Sequence, residues 1–181
     1  MARIDDFRAF LTQGGARPTQ FRVNLSFPTA IGVDSNGAGV SGVFMCAATS
    51  LPASMIQSIE VPYRGRNIKV AGERHFQNWQ IRVLNDSNFL IRKALESWSA
   101  KVLAHSSTTG VVVPTLYAVD MEVVQLDRND LELRKYKFHN CWPVNVSEIS
   151  LDFGAITAIE EFNVEFSVDY WTVDSGDTQI V

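Results

Sequence analysis

The stretch VAGERHFQNWQIRVLND, residues 70–86, gathers Glu73, Arg74, His75, Asn85 and Asp86, residue types that a general acid–base site would use. Such a site needs its groups within hydrogen-bond reach of one another. The HFQNWQIRVL segment predicts a strand over 75–84, and a strand sends neighbouring side chains to opposite faces. His75, Gln77, Trp79, Ile81 and Val83 then share one face, while Phe76, Asn78, Gln80 and Arg82 share the other. That alternation separates the supposed catalytic neighbours. The span reads as a junction: the end of an arm through Arg74, a sheet strand, and a turn at Asn85 and Asp86 into a helix.

The other chemical motifs are weaker. Gly37, Gly39 and Gly42 in GAGVSG match GxGxxG, whose glycines let a pyrophosphate approach a helix N-terminus. The following VFMCAATSLP looks like a strand ending in proline, so a hairpin loop is expected there instead of a nucleotide site. His75, His105 and His139 show no HExxH or HxH spacing, and no cysteine pattern accompanies them. DRNDLE begins like a calcium loop but lacks the glycine at the sixth position and the glutamate at the twelfth. No GxSxG elbow occurs. Glu160 with Glu161 and Asp127 with Asp130 read as solvated charge at a strand edge and a turn. The expectation is a protein with no catalytic residues, no metal and no cofactor.

Composition bounds the remaining classes. At 181 residues with 46% hydrophobic content, the chain suits a single domain with a real core. A formal charge of -4 offers no footprint for tight nucleic-acid binding. No apolar run suits a signal peptide or a membrane span, so a soluble cytoplasmic product with no membrane partner is expected. Cys46 and Cys141 belong to no CxxC pair and are expected as reduced, packed thiols. The Asn-x-Ser matches at Asn24, Asn85 and Asn145 mean little without secretion.

The elements that must position these residues are mostly strands. QFRVNLSF (20–27) sets Phe21, Val23, Leu25 and Phe27 against Gln20, Arg22, Asn24 and Ser26. EFNVEFSVDYW (161–171) sets Phe162, Val164, Phe166, Val168 and Tyr170 against Glu161, Asn163, Glu165, Ser167 and Asp169. Further strands are expected over 42–49, 75–84, 116–126, 131–142 and 145–153, with Asp127, Arg128, Asn129 and Asp130 as a hairpin turn. Ile91, Leu95, Trp98 and Val102 recur at helical spacing within 87–105, with Asp86 or Ser87 able to cap the start. The fold class is therefore mainly β: two antiparallel sheets forming a sandwich or partly closed barrel, flanked by one helix.

Two connectors stand out. Residues 28–42 are glycine-rich, and residues 50–70 run without a helical stripe but carry Pro52 and Pro62. An irregular connector of that length suggests an arm that reaches a partner or folds back on its own domain.

ARPTQFRVNLSF, ATSLPAS, VPYRGRNIKVAGERHFQNWQIRVLND, FLIRKALESW, KFHNCWPVNVSEISLDF and IEEFNVEFSVDYW occur in an order that resembles the tail tube protein family of contractile-tailed bacteriophages. The likeness runs from Arg17 to Trp171. The 28–42 loop and the 172–181 tail depart from the family pattern; both belong to a single domain, 1–181, that also includes an N-terminal segment, 1–16. The resemblance implies a subunit that self-assembles into stacked hexameric rings, forming the inner tube of a virion tail. Its implied partners are further copies of itself, a tail sheath protein, baseplate and tube-terminator proteins, and double-stranded DNA that passes without specific binding. Before assembly the subunit would wait in the host cytoplasm. The alternative is the tube of a contractile injection or secretion system delivering protein effectors.

If each of six subunits gives four strands, a spacing of about 4.8 Å makes a wall roughly 35–50 Å across, wide enough for a duplex. Lumen-facing candidates are Gln20, Arg22, Asn24, Ser26, Glu161, Asn163, Glu165, Ser167 and Asp169, because a polar wall poor in free cations would let DNA slide. Candidates for contacts between subunits and rings are Leu51, Pro52, Met55, Ile56, Val61, Pro62, Tyr63, Arg64 and Arg66.

Overall fold

Alternation in the first strand already decides which side of the sheet is wet. In β1 (Phe21–Asn24), Val23 is fully buried, and Leu25 just beyond it is 6% exposed. The structure, a computed structural model, describes residues 15–33, 37–107 and 109–174, Ile4 and Ala9 singly, and only the backbone of Val40 and Ser41. Most of the 1–16 segment and residues 175–181 of the tail lie outside the described residues.

The remaining elements are a 3-10 turn at Thr29–Ile31, α1 (Ala38–Met45), β2 (Cys46–Thr49), β3 (Ser54–Tyr63), β4 (Arg66–Phe76), β5 (Trp79–Leu84), α2 (Leu90–Val102), α3 (Pro114–Tyr117), β6 (Val119–Leu126), β7 (Glu132–Val146), β8 (Glu161–Ser167) and β9 (Tyr170–Asp174). Seven strands form one antiparallel sheet in the order β1-β6-β7-β8-β5-β2, with β9 also on β7. β3 and β4 form a second sheet of two strands.

The large sheet works as two walls because β7 belongs to both. Its first part, Lys135 to His139, pairs with β9, and β6 runs alongside from Glu132 to Cys141. Beyond Asn140, which sits at φ 55°, Trp142 to Val146 pair with β8 instead. The inward faces meet in one core, where Trp79 of β5 stacks on Phe138 of β7 with ring centroids 4.6 Å apart. The Trp79 indole N–H donates to Thr49 Oγ1 at 2.9 Å, so this core side chain leaves no polar atom unpaired. Val23, Ile81, Val123, Phe162, Val164 and Phe166 line the same core at 2% exposure or less. Each such burial contributes about 1.5–3 kcal/mol. The sheet does not close into a barrel: its path ends at β1 and β2.

Helix α2 follows the expected stripe, with Ile91, Ala94, Leu95 and Trp98 buried. Asp86 Oδ1 accepts the Leu90 backbone N–H at 2.9 Å, and the Trp98 indole donates to the Tyr117 carbonyl at 3.0 Å. The helix is not alone. Residues expected as loop and strand form α1, so the reading of 42–49 as a strand holds only for Cys46–Thr49. Its glycines are packing devices: a Cβ on Gly39 would lie 3.0 Å from the Leu25 carbonyl oxygen, and one on Gly42 would lie 2.7 Å from Leu25 Cδ1. GAGVSG thus opens a helix after all, pressed against the end of β1.

Other boundaries also move. The strand expected over 75–84 breaks after Phe76, and that over 161–171 breaks at Val168 and Asp169, where the chain turns from β8 to β9. The strand expected over 116–126 starts at Val119, after the single turn of α3. β7 extends to Val146, and residues 147–160 form no strand although Ile149, Leu151 and Phe153 alternate as one would. The turn at 127–130 is as expected: the Asp127 N–H donates to Leu131 O at 2.8 Å, and Asp130 takes φ 58°.

Candidate assembly interface

Residues 50–70 are not irregular. Most of them belong to a β3–β4 hairpin, the second sheet, which pairs with no other strand among the described residues. Its turn is Arg64-Gly65, at φ 47° and 81°, two consecutive positive values of the kind a two-residue hairpin turn needs. Glycine adopts this freely; arginine does so at a cost of about 1 kcal/mol. The Arg64 guanidinium lies 5.4 Å from the centre of the Tyr63 ring.

Cross-strand register sorts the outer hairpin into two faces. Ile59 opposes Val70, Val61 opposes Ile68 and Tyr63 opposes Arg66, giving a largely apolar face. Glu60 opposes Lys69 and Pro62 opposes Asn67, giving a polar one. On the polar side Lys69 bridges Glu60 at 3.6 Å, and the Asn67 amide donates to Glu60 Oε2 at 3.0 Å. Neither face is covered: Ile59, Val61, Tyr63, Ile68 and Val70 keep between 46% and 58% exposure. A solitary two-stranded hairpin is at best marginal in water.

The base of the hairpin is tied down. Phe76 meets Trp171 of β9 edge-on at 6.3 Å, Tyr136 of β7 meets the same indole at 5.9 Å, and its N–H donates to the Ala53 carbonyl at 3.3 Å. The register shifts between Ile56 and Ser58, beside Gly72, where a Cβ would come within 2.9 Å of Ile59 Cγ1. Of the contact candidates, Val61, Pro62, Tyr63, Arg64 and Arg66 lie at the outer end, Met55 and Ile56 near the base, and Leu51 and Pro52 in the connector from β2. Ile59, Ile68 and Val70 join them on structural grounds.

A second uncovered apolar surface escaped the sequence reading. In the segment 147–160, Leu151, Phe153, Ile156 and Ile159 are exposed by 79%, 109%, 90% and 68%. The signal was present in the alternation of Ile149, Leu151 and Phe153. In sequence that alternation is indistinguishable from a strand of this chain's own sheet.

The lumen candidates do not form one surface. Arg22 and Asn24 lie on the outer side of the β1-β6-β7-β9 wall, with Gln20 and Ser26 just beyond the ends of β1. There Arg22 bridges Glu132 at 2.5 Å, Asn24 donates to Glu122 at 3.2 Å, Lys135 bridges Glu122 at 3.0 Å and Lys137 bridges Asp120 at 3.0 Å. Glu161, Asn163, Glu165 and Ser167 lie on the outer side of the other wall, across the core. Arg82 bridges Glu161 there at 3.5 Å, and Asn78 donates to Glu165 at 2.8 Å. Asp169 belongs to neither set: it sits in the β8–β9 turn and accepts from the Asn140 amide at 2.8 Å.

The pairing shifts protonation. Partial burial pushes the Asp120 and Glu122 carboxyls up, but hydrogen bonds from Lys137 to Asp120 and from Lys135 and Asn24 to Glu122 outweigh it and hold both below their ordinary values. The Asp120 hydrogen bond and charge raise Lys137 in turn. Burial pushes the Cys46 thiol up to about 11 and the Cys141 thiol up to about 12, so both stay protonated at neutral pH.

The structure spreads the opening cluster along the chain. Glu73, Arg74 and His75 sit near the foot of the hairpin, Asn85 donates to Glu160 at 2.9 Å, and Asp86 caps α2. Among the described residues no three of His, Cys, Asp and Glu gather as a metal site. His139 lies 3.2 Å from Asp120 and 3.0 Å from Thr172, within the paired surface.

The family model for "Phage tail tube protein" matches residues 16–174. This chain belongs to the phage tail tube protein family. "Tail tube protein gp19" of Enterobacteria phage T4 is 31% identical over 170 residues, 93% of this chain and 98% of that one. "Tail tube protein" of Serratia phage KSP90 is 26% identical over 167 residues, covering 91% and 93%. Among solved structures, the sheath-tube complex of an extracellular contractile injection system superposes with a TM-score of 0.62 at 11% identity, covering 93% of this chain and 97% of that one. The tube-terminating cap of the anti-feeding prophage gives 0.65 at 14%, covering 90% and 93%. These structural likenesses establish a shared fold. As a tail tube protein, the chain is a structural component of the virion tail.

Proposed function

We propose that six copies of this tail tube protein close into a ring and that the rings stack into the conduit for double-stranded DNA. The observation that carries the reading is the outer β3–β4 hairpin, regular in register from Ser58 to Ala71 yet exposed on both faces. An element with so much uncovered apolar surface gains stability when another subunit covers it. DNA is favoured as cargo over protein effectors because the curated sequence relatives are phage proteins, whereas the injection-system likeness is one of fold. The sheath, baseplate and tube-terminator proteins are its further partners, and the host cytoplasm is where the subunit waits before assembly.

The lumen is assigned to the β8 side, with Glu161, Asn163, Glu165 and Ser167. A wall rich in carboxylates and amides, its Arg82 held by Glu161, offers phosphates little to grip. The Arg22 and Asn24 surface then faces away from the lumen.

Purified subunit viewed by negative-stain microscopy should show rings or tubes. Replacing residues 55–75 with Asn-Gly joins Ser54 to Phe76, which already oppose each other, and should leave a folded subunit without tubes. Full-length tubes from that variant would refute the role of the hairpin. In assembled tubes, a reagent too large to enter should label Asn24→Cys and spare Glu165→Cys; the opposite pattern would reverse the lumen assignment.

A further inference from the structure

We infer that the 147–160 loop is the receptor for the hairpin tip of a second copy of this chain, an inference that rests on the tube reading above. The loop carries strand-like alternation without a strand partner. Ile149, Leu151 and Phe153 recur at period two without a strand partner among the described residues; Ile149 packs against the core, while Leu151 and Phe153 stay exposed. Within the loop is a cavity of about 340 Å³ whose lining includes Leu151, Ala155 and Ile159 together with Asp152 and Glu160; Glu161, at its border, is already bridged to Arg82. A hollow whose lining is part apolar and part acidic suits an occupant that is both apolar and cationic.

The hairpin tip has that chemistry. Tyr63 is 58% exposed, with Arg64 and Arg66 on either side of the Gly65 turn and Val61 and Ile68 immediately behind. Arginine is suited to carboxylate recognition through its planar fork of donors. Both surfaces are open in the same chain, so the hairpin does not fill its own loop. A tip-to-loop contact between copies is head-to-tail: each subunit offers one tip and one loop. Such a contact propagates without limit unless a rotation closes it, which is what a stack of rings needs along its axis.

The test uses full-length protein in assembled tubes. Tyr63→Cys and Ile159→Cys are combined in one chain; Cys46 and Cys141 are buried and do not compete. Mild oxidation should give a ladder of covalent oligomers beyond the dimer, at least about tenfold stronger than with either single variant, because every chain carries both positions. Tubes that form with no excess over the single variants would overturn the docking and leave the tube reading intact. Independently, Arg66→Glu should cut pelleted tubes by about tenfold, a loss of about 1.4 kcal/mol per contact, and adding Glu160→Arg should restore most of them. Failure of that rescue, with both variants folded, also counts against the inference. If the unaltered protein formed neither rings nor tubes, the tube reading would fall and this contact with it.

Discussion

Replacing Val61 and Ile68, a directly opposed pair on the hairpin's apolar face, by threonine should separate folding from assembly. In the free subunit Val61 is 46% exposed and Ile68 53%, so about half of each side chain remains to be covered. Full burial of such a residue contributes about 2 kcal/mol, so covering the remaining halves contributes about 2 kcal/mol for the pair. Threonine forfeits much of that and adds a hydroxyl whose unpartnered burial costs about 1 kcal/mol each. The assembled state should therefore lose about 4 kcal/mol per subunit, close to a thousandfold rise in the critical concentration for tube formation. Threonine favours strands, so the hairpin itself persists and the melting temperature should barely move. Sedimentation across a concentration series, paired with thermal melts of the unassembled fraction, reads both quantities. Variant tubes at the unaltered critical concentration would mean that this face stays wet in the tube.

Three further outcomes follow from local geometry. Arg64→Asn should stabilise the hairpin by up to about 1 kcal/mol, since asparagine tolerates positive φ, with slower amide exchange in β3 and β4 as the readout. Gly42→Ala should destabilise the fold by about 1–3 kcal/mol, because its Cβ would meet Leu25 Cδ1 at 2.7 Å; an unchanged melt would show that Leu25 has room to move. Asp120 and Glu122 have folded values below their ordinary 3.8 and 4.5, so their stabilisation is complete above those values and is lost as pH falls through the folded ones. Asp120→Asn should therefore be less stable than the parent at neutral pH, with the gap closing in acid; a gap independent of pH would exclude the ion pairs as its cause.

Where one face of an element is packed within the chain, the sequence was a good guide. β1, β5 and β8 each alternate against a core that this chain supplies, and Asp86 and Trp98 mark α2 for the same reason. Helix α1 was hidden because glycine and apolar residues run all the way round it, and its position depends on Gly39 and Gly42 meeting Leu25, a tertiary fact. The hairpin was hidden differently. Its Ile59, Val61 and Tyr63 alternate, as do Ile68 and Val70, but the length of 50–70 without a helical stripe, with Pro52 and Pro62 in it, suggests a loose arm. Arg64 is also an unusual residue for that turn. In the 147–160 segment the pattern promises a strand that no neighbour among the described residues completes. The two polar faces could not be told apart, because periodicity says which residues share a side but not which wall that side belongs to.

The passage of β7 from one wall to the other at Asn140 has a mechanical consequence. Two layers held only by packed side chains can slip past each other under shear, since contacts broken at one position are replaced at the next. Here a continuous backbone crosses between them, and slippage would have to stretch covalent bonds or strip β7 from β6, β9 or β8. A force applied to one wall reaches the other through the chain itself, and the subunit should respond to load as a single stiff block.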